Sequence, residues 1–304
     1  MPTINPPQPA TISGDNITVN RLINAPAVLQ RTLRTLVQQR LVGDRILTGR
    51  IDLTGTGAVN YEVSEAIMMA DLAQRVAPMA EYPLTTSGTA ASAMANTEKW
   101  ALGFEISDEL IARNRIDVFN RNMIKLANRL AFGFDALILS AVGSAVTQTY
   151  AAAAAWSATT AQPFADVVGA AAVADTLNQG YDCDICLCTP TKWAQAISAS
   201  GIIDRAPRES DNSLLLTGRI VTIAGFTFIK TTNLPSGVSA MVVDSTQLGT
   251  IGWEDLGGGY LGTADGVQTK RYRLEGNDGW RINGRRVGVP LVQEPGCAVK
   301  ITGV

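Results

Sequence analysis

Trp100-Ala101-Leu102-Gly103-Phe104-Glu105-Ile106-Ser107-Asp108-Glu109-Leu110 changes its period halfway along. Up to Ile106 the large apolar side chains fall on alternate positions, so residues 96–106 read as a strand. Ser107 then stands where a helix cap belongs. Asp108 and Glu109 put negative charge in the first helical turn, beside its unpaired amides. After the polar interruption Arg113-Asn114-Arg115, Asp117 offers a second N-cap. From there Ile116, Phe119, Met123, Leu126, Leu130, Phe134, Leu137 and Ala141 recur at three- and four-residue spacing, while Arg121, Lys125, Arg129 and Asp135 take other faces. Residues 117–142 therefore predict one helix, about 39 Å long at about 1.5 Å per residue.

On the N-terminal side, residues 75–84 read as a second strand. Between the two strands, Thr85 to Ala95 is small, polar and without charge. Two strands around a loose tip make a long hairpin, which has no core of its own and persists only against another surface. Further upstream, four prolines in the first ten residues rule out a regular element. A helix is expected over residues 25–42, with Asn24 as N-cap, Pro26 in the first turn and Gly43 as the stop. Leu29, Leu33, Leu36, Val37 and Leu41 give it an apolar face, with Arg31, Arg34 and Arg40 off that face. Such a tethered amphipathic helix needs something to dock on, and a neighbouring subunit is a natural candidate.

On the C-terminal side, Ala151 to Gln162 is a low-complexity connector. Beyond it the order is a helix (163–179, ended by Gly180), a strand (184–189), a short helix (190–198) and β segments at 219–224, 226–231, 240–244 and 250–253. Further β segments follow at 267–275, 280–287 and 297–302. There is no internal repeat.

Composition narrows the function. The chain is 46% apolar and 17% charged, which is little charge for a soluble monomer and fits a surface given over to partners; a very compact enzyme has the same profile. Net charge is −2, which argues against a dedicated nucleic-acid binder. Residues 1–50 nevertheless hold six arginines against Asp15 and Asp44, for +4, leaving −6 on the remainder. A basic arm on an acidic body suits an arm facing polyphosphate, and a merely Arg-rich solvated helix fits the same counts. With no histidine at all, the commonest general base and metal ligand is missing. No stretch reads as a membrane span and MPTINPPQPA is no signal peptide, so the chain reads as cytoplasmic when made.

Three motifs tempt. Cys183, Cys186 and Cys188 crowd together, but structural zinc needs a second ligand pair that is missing, and the segment reads as a buried strand with small apolar thiols. Gly257-Gly258-Gly259-Tyr260-Leu261-Gly262 spells a dinucleotide fingerprint, yet a β segment follows where the pyrophosphate needs a helix N-terminus. The acidic pairs Asp108/Glu109 and Glu254/Asp255 sit on successive residues and point apart. Neither makes an acid/base couple, and no cofactor or metal site is expected.

The order of elements resembles the major capsid proteins of tailed double-stranded DNA bacteriophages, the Hong Kong ninety-seven-type coat fold. Glu81-Tyr82-Pro83-Leu84 is similar to the outgoing strand of that family's extended loop. The Trp100–Leu110 stretch resembles the incoming strand and its helix start. Thr189-Pro190-Thr191-Lys192-Trp193 resembles the turn of the axial domain, and Ile223-Ala224-Gly225-Phe226, Asn233-Leu234-Pro235 and Val243-Asp244 resemble its strands. The resemblance covers essentially the whole chain.

It implies an α+β protein that is no enzyme. An N-terminal arm would span 1–50. A peripheral domain with a long spine helix would span 51–74 and 107–150, an extended loop 75–106 and a mixed α/β axial domain 151–265. C-terminal strands (266–304) would return to the peripheral domain. Copies would join as hexamers and pentamers into an icosahedral shell, the virion capsid, assembled in the bacterial host cytoplasm around double-stranded DNA and touching no membrane. A portal and a decoration protein are further partners of such shells. Tyr82, Leu84, Trp100 and Phe104 are the expected assembly residues, and Arg31, Arg34 and Arg40 the expected DNA-facing ones. No scaffolding segment fits before Thr48, which implies a separate scaffolding protein. Some members cross-link lysine to asparagine from the extended loop; Lys99 is the lone lysine there, so no cross-linking is expected. An encapsulin-like compartment around cargo enzymes is the alternative on the same fold.

Overall fold

The computed structural model describes residues 41–64, 67–69, 71–85, 90–113, 116–199, 222–223, 225–261 and 266–304. The expected helix over 25–42, apart from its final residues Leu41 and Val42, lies outside them, as do Arg31, Arg34 and Arg40. Its stop, Gly43, begins a single helical turn, Gly43–Ile46, that rests on the long helix.

That long helix is Ile116–Ala145. Its apolar side chains, among them Phe119, Met123, Leu126, Leu130, Phe134, Ile138 and Val142, are buried in one core. By length and composition Arg121–Ala145 could cross a membrane, contrary to the expectation that no stretch could. Its buried stripe and the charges on its other faces make it the central helix of a folded body instead. Ser107 caps the short helix Asp108–Ala112 as its sequence demands, accepting a bond from the Leu110 amide.

Most of the described strands form two sheets, the first of which packs on the long helix. One joins β1 (Gly49–Asp52), β4 (Glu98–Ser107), β10 (Gly249–Trp253), β11 (Gln268–Leu274) and β12 (Gly279–Val292). β12 is central: β4 and β11 run antiparallel along its first half and β10 along its second. The sequence ended this strand at Val287, before Gly288 and Pro290. It continues because a side chain at Gly288 would strike the Gly252 carbonyl (2.7 Å), so glycine lets β10 close in. β4 stops pairing at Gly288, which leaves one edge of β12 open where Pro290 stands, a place strands tolerate proline.

The second sheet has the order β5-β13-β9-β6-β8-β7, from β5 (Thr149–Ala151), β6 (Ile185–Cys188), β7 (Thr222–Ile223), β8 (Phe226–Lys230), β9 (Ala240–Val243) and β13 (Ala298–Thr302). The helix Pro163–Asp175 packs on β5, β9 and β13, and the short helix Pro190–Ser198 follows β6. All four cysteines are free and buried, and Cys186 and Cys188 serve β6 as small apolar residues. Sheet membership crosses the expected boundary at 265/266. β10 belongs with β12, whereas β13 pairs with β9 and β5 in the second sheet rather than returning with β11 and β12.

The expected hairpin is redrawn. Residues 75–84 form no strand: Pro78 and Pro83 lack amide donors, and Met79 turns at φ +62°, its turn closed by the Ala80 amide on the Ala77 carbonyl. The ribbon is instead β2 (Ala58–Val63) against β3 (Ala91–Asn96), and β4 belongs to the first sheet.

Candidate assembly surface

The ribbon is held at its base. Val59, Tyr61 and Ala95 pack with Leu53, Val289 and Leu291 in a small separate cluster. Thr97 donates to Glu254 and to the Gly57 carbonyl. The chain leaving β2 is tied again where the Ser64 amide meets the Gln293 carbonyl (2.9 Å) and the Ile67 amide meets Gln179 Oε1 (3.0 Å).

Beyond those ties, large apolar side chains stand in water. Ile67, Met68 and Met69 are more than half exposed, and Leu72 (90%), Tyr82 (79%) and Leu84 (92%) nearly fully so. Met79 has no cover at all. Monomeric soluble proteins rarely leave so much contiguous apolar surface bare. Covering each such side chain is worth about 1.5–3 kcal/mol.

Of the expected assembly residues, Tyr82 and Leu84 stand on this segment and the other two do not. Trp100 is 36% exposed, with its ring against Gly133 of the long helix, where a Cβ would come within 3.3 Å of it. Its Nε1 donates to Glu98. Phe104 is half-buried and meets Phe119 edge-on at 6.0 Å, inside the protein's own core. Ile67, Met68, Met69, Leu72 and Met79, exposed on the same segment, were not among the expected residues. Their signal was present in Ile67-Met68-Met69, an apolar run with no periodic continuation to bury it.

The buried charged groups hold the body together. Asp135, 4% exposed on the long helix, accepts from the Val42 and Gly43 amides at 2.9–3.1 Å, and burial is the main cause that raises its pKa. Asp44 pairs with Arg50 and with Arg286, whose guanidinium lies 3.9 Å over the Phe134 ring. Arg285 bonds Gln268 and the Gly257 carbonyl beneath Tyr260, 3.7 Å from its ring. It thereby clamps Gly257–Gly259, which run at φ +59°, +73° and +72° as a turn and not as the start of a phosphate-binding helix. Burial pushes the Cys183 and Cys188 thiols up to about 12 and Cys186 and Cys297 up as well. Among the described residues no group of three or more His, Cys, Asp or Glu could hold a metal ion.

Comparisons with known proteins agree with this picture of a structural subunit. No curated protein is similar to the chain in sequence. The fold is that of solved shells. The capsid of the cyanophage P-SCSP1u matches 86% of this chain and 88% of its own at 16% identity, TM-score 0.58. The mature capsid of bacteriophage PhiM1 matches 87% and 88% at 10% identity, TM-score 0.58. The virus-like particle from Pyrococcus furiosus matches 90% and 97% at 10% identity, TM-score 0.58. The profile of the family described as Phage capsid protein matches residues 90–301, and the chain belongs to that family.

Proposed function

We propose that the chain is the major capsid protein of a tailed phage and that residues 67–84 are the surface through which its copies join into hexamers and pentamers of an icosahedral shell. The observation that carries this is a long apolar segment, exposed yet tied to the body at its start. Such a surface is costly in a monomer and useful in an assembly, where modest contacts repeated around every copy add to a durable closed structure.

In this reading β2, β3 and the chain between them are the extended loop, and Tyr82 and Leu84 are among its contact residues. The shell assembles in the host cytoplasm with a separate scaffolding protein and a portal, and a decoration protein is a further partner. It encloses double-stranded DNA by confinement, so its body needs no strong positive charge. Residues 1–50 act as the arm, with Arg31, Arg34 and Arg40 toward the DNA. The chain performs no catalysis, and no lysine–asparagine links form between copies.

Expression of the chain with its scaffolding partner, followed by electron microscopy of the largest particles, tests the proposal. Closed polyhedral shells are expected, with nuclease-protected DNA in the native particle. Shells that hold enzymes and no DNA would assign an encapsulin-like role. A well-behaved monomer under all conditions would overturn the reading, and a ladder of covalent multimers on a boiled denaturing gel would overturn the absence of cross-links.

A further inference from the structure

Sulfur divides this molecule in two. Cys183, Cys186, Cys188 and Cys297 are free and buried. Met123 and Met241 are buried with them, at 3% and 0% exposure. The remaining methionines among the described residues stand in water: Met68 and Met69 at 60% exposure, Met94 at 71%, and Met79 bare. All four lie between positions 68 and 94, on β3 or on the chain that joins it to β2. Among the described residues, an oxidant in solution therefore meets exposed sulfur on this one stretch of the chain.

The residue type matters. Methionine is unbranched and flexible, which lets one side chain fit differing neighbours, and it is apolar enough to be buried between copies. Leucine would bury as well but would not respond to oxidants. A peroxide converts the thioether to a sulfoxide: the sulfur gives an electron pair to one peroxide oxygen, the O–O bond breaks, and the second oxygen leaves as water. The sulfur is oxidised and the peroxide reduced. The product is polar and chiral, and sulfoxide reductases return it to the thioether using a dithiol. A sulfoxide has to shed bound water before it can enter an apolar contact, which opposes covering the side chain. Repeated on every copy, that opposition multiplies, because a closed shell depends on many modest contacts at once. The same oxidant leaves the core alone, since Met123, Met241 and the thiols lie inside.

We infer that Met68, Met69, Met79 and Met94 form a reversible oxidation site that closes the free subunit to assembly and becomes protected once copies have joined. The inference rests on the shell-building reading of this part of the chain.

Peptide mapping by mass spectrometry and shell counting by electron microscopy test it together. Subunits of the full chain are exposed to hydrogen peroxide, the peroxide is removed with catalase, and assembly follows under the conditions that give shells from untreated subunits. Oxidation at Met68, Met69, Met79 and Met94 should run about tenfold or more ahead of Met123 and Met241. The subunit's melting temperature should hold while shell yield falls about tenfold or more. Sulfoxide reductases for both epimers, with dithiothreitol, should restore the yield. The combined variant Met68→Leu, Met69→Leu, Met79→Leu and Met94→Leu should assemble with or without peroxide. Should it not assemble even untreated, restoration by the reductases decides instead. In finished shells the four thioethers should oxidise about tenfold or more slowly than in free subunits. Equal oxidation of buried and exposed methionines, an undiminished yield from oxidised subunits, or a loss that the reductases do not reverse would overturn the inference and leave the shell reading intact. Untreated subunits that never form shells would overturn the shell reading, and the inference with it.

Discussion

The six-stranded sheet and residues 67–84 treat apolar and polar groups in opposite ways. In the sheet, β6 and β9 are buried at every position, and two carboxylates beside it, Asp244 and Asp166, are pulled inside and hydrogen-bonded. Asp244 has no exposure, yet it accepts from the Asp182, Thr246 and Gln247 amides and the Thr246 hydroxyl. Asp166 accepts from Trp156 and the Ala153 amide in the same manner. In residues 67–84 the large apolar side chains face water. A protein selected as a free monomer would not keep both. On the proposed function, the difference separates what the chain completes alone from what it leaves for its copies.

The sharpest way to break this contrast is to charge the bare segment. Leu72→Glu with Leu84→Glu should abolish shell formation in electron micrographs, while the isolated subunit changes stability by about 0.5 kcal/mol or less, because nothing within it rests on these side chains. A large loss of subunit stability would mean that the segment packs on its own body. The converse experiment goes inside. Asp244→Ala strands several buried donors and should cost about 3 kcal/mol or more by denaturant midpoint, each unpaired group being worth about 1–3 kcal/mol. Whatever subunit remains folded should still present residues 67–84 unchanged.

Alkali sharpens the same division. The buried thiols hold their protons above the ordinary value of 9.0, Cys183 and Cys188 up to about 12. The unfolded chain releases those protons sooner. The stability they contribute is therefore whole below about pH 9 and is lost as pH rises toward about 12, at up to about 1.4 kcal/mol per pH unit for each thiol. Thermal melts between pH 8 and 11 should show the decline, and Cys188→Ala should make it shallower. At pH 7.5 a thiol reagent should label none of the four cysteines before unfolding. The smallest effect belongs to the surface loop. Tyr260→Ala removes the ring stacked on Arg285 and should cost about 0.5–2 kcal/mol in melting experiments, with shells still forming.

Much of the fold was legible because its signals are local. The long helix announces itself by spacing, its short neighbour by Ser107, and β6, β8, β9 and β10 by compact apolar runs between turns. Errors arose where a distant partner decides the outcome. Residues 75–84 alternate like a strand, but Pro78 and Pro83 remove the donors a ladder needs, while unassuming Ala58–Val63 finds Ala91–Asn96 across the loop. Nothing local reveals that β4 belongs to β12. Which of the proposed surface residues stand free was only partly legible. Tyr82 and Leu84 are exposed, whereas Trp100 and Phe104 look alike in sequence and lie against the long helix, a matter of which face of β4 meets Gly133 and Phe119.

The pairing of β4 with β12 also sets a clock. Glu105 and Arg281, partners across that ladder, are 176 residues apart in the chain. At synthesis rates of about 5–20 residues per second, β4 leaves the ribosome roughly 9–35 s before its partner exists. For that interval its apolar face and its ladder bonds are open, beside an extended segment that is bare even in the finished subunit. The newborn chain is thus most prone to wrong association in the part to which we assign the right one. Attendance by a holding partner during synthesis would matter more for the yield of this protein than its final stability does.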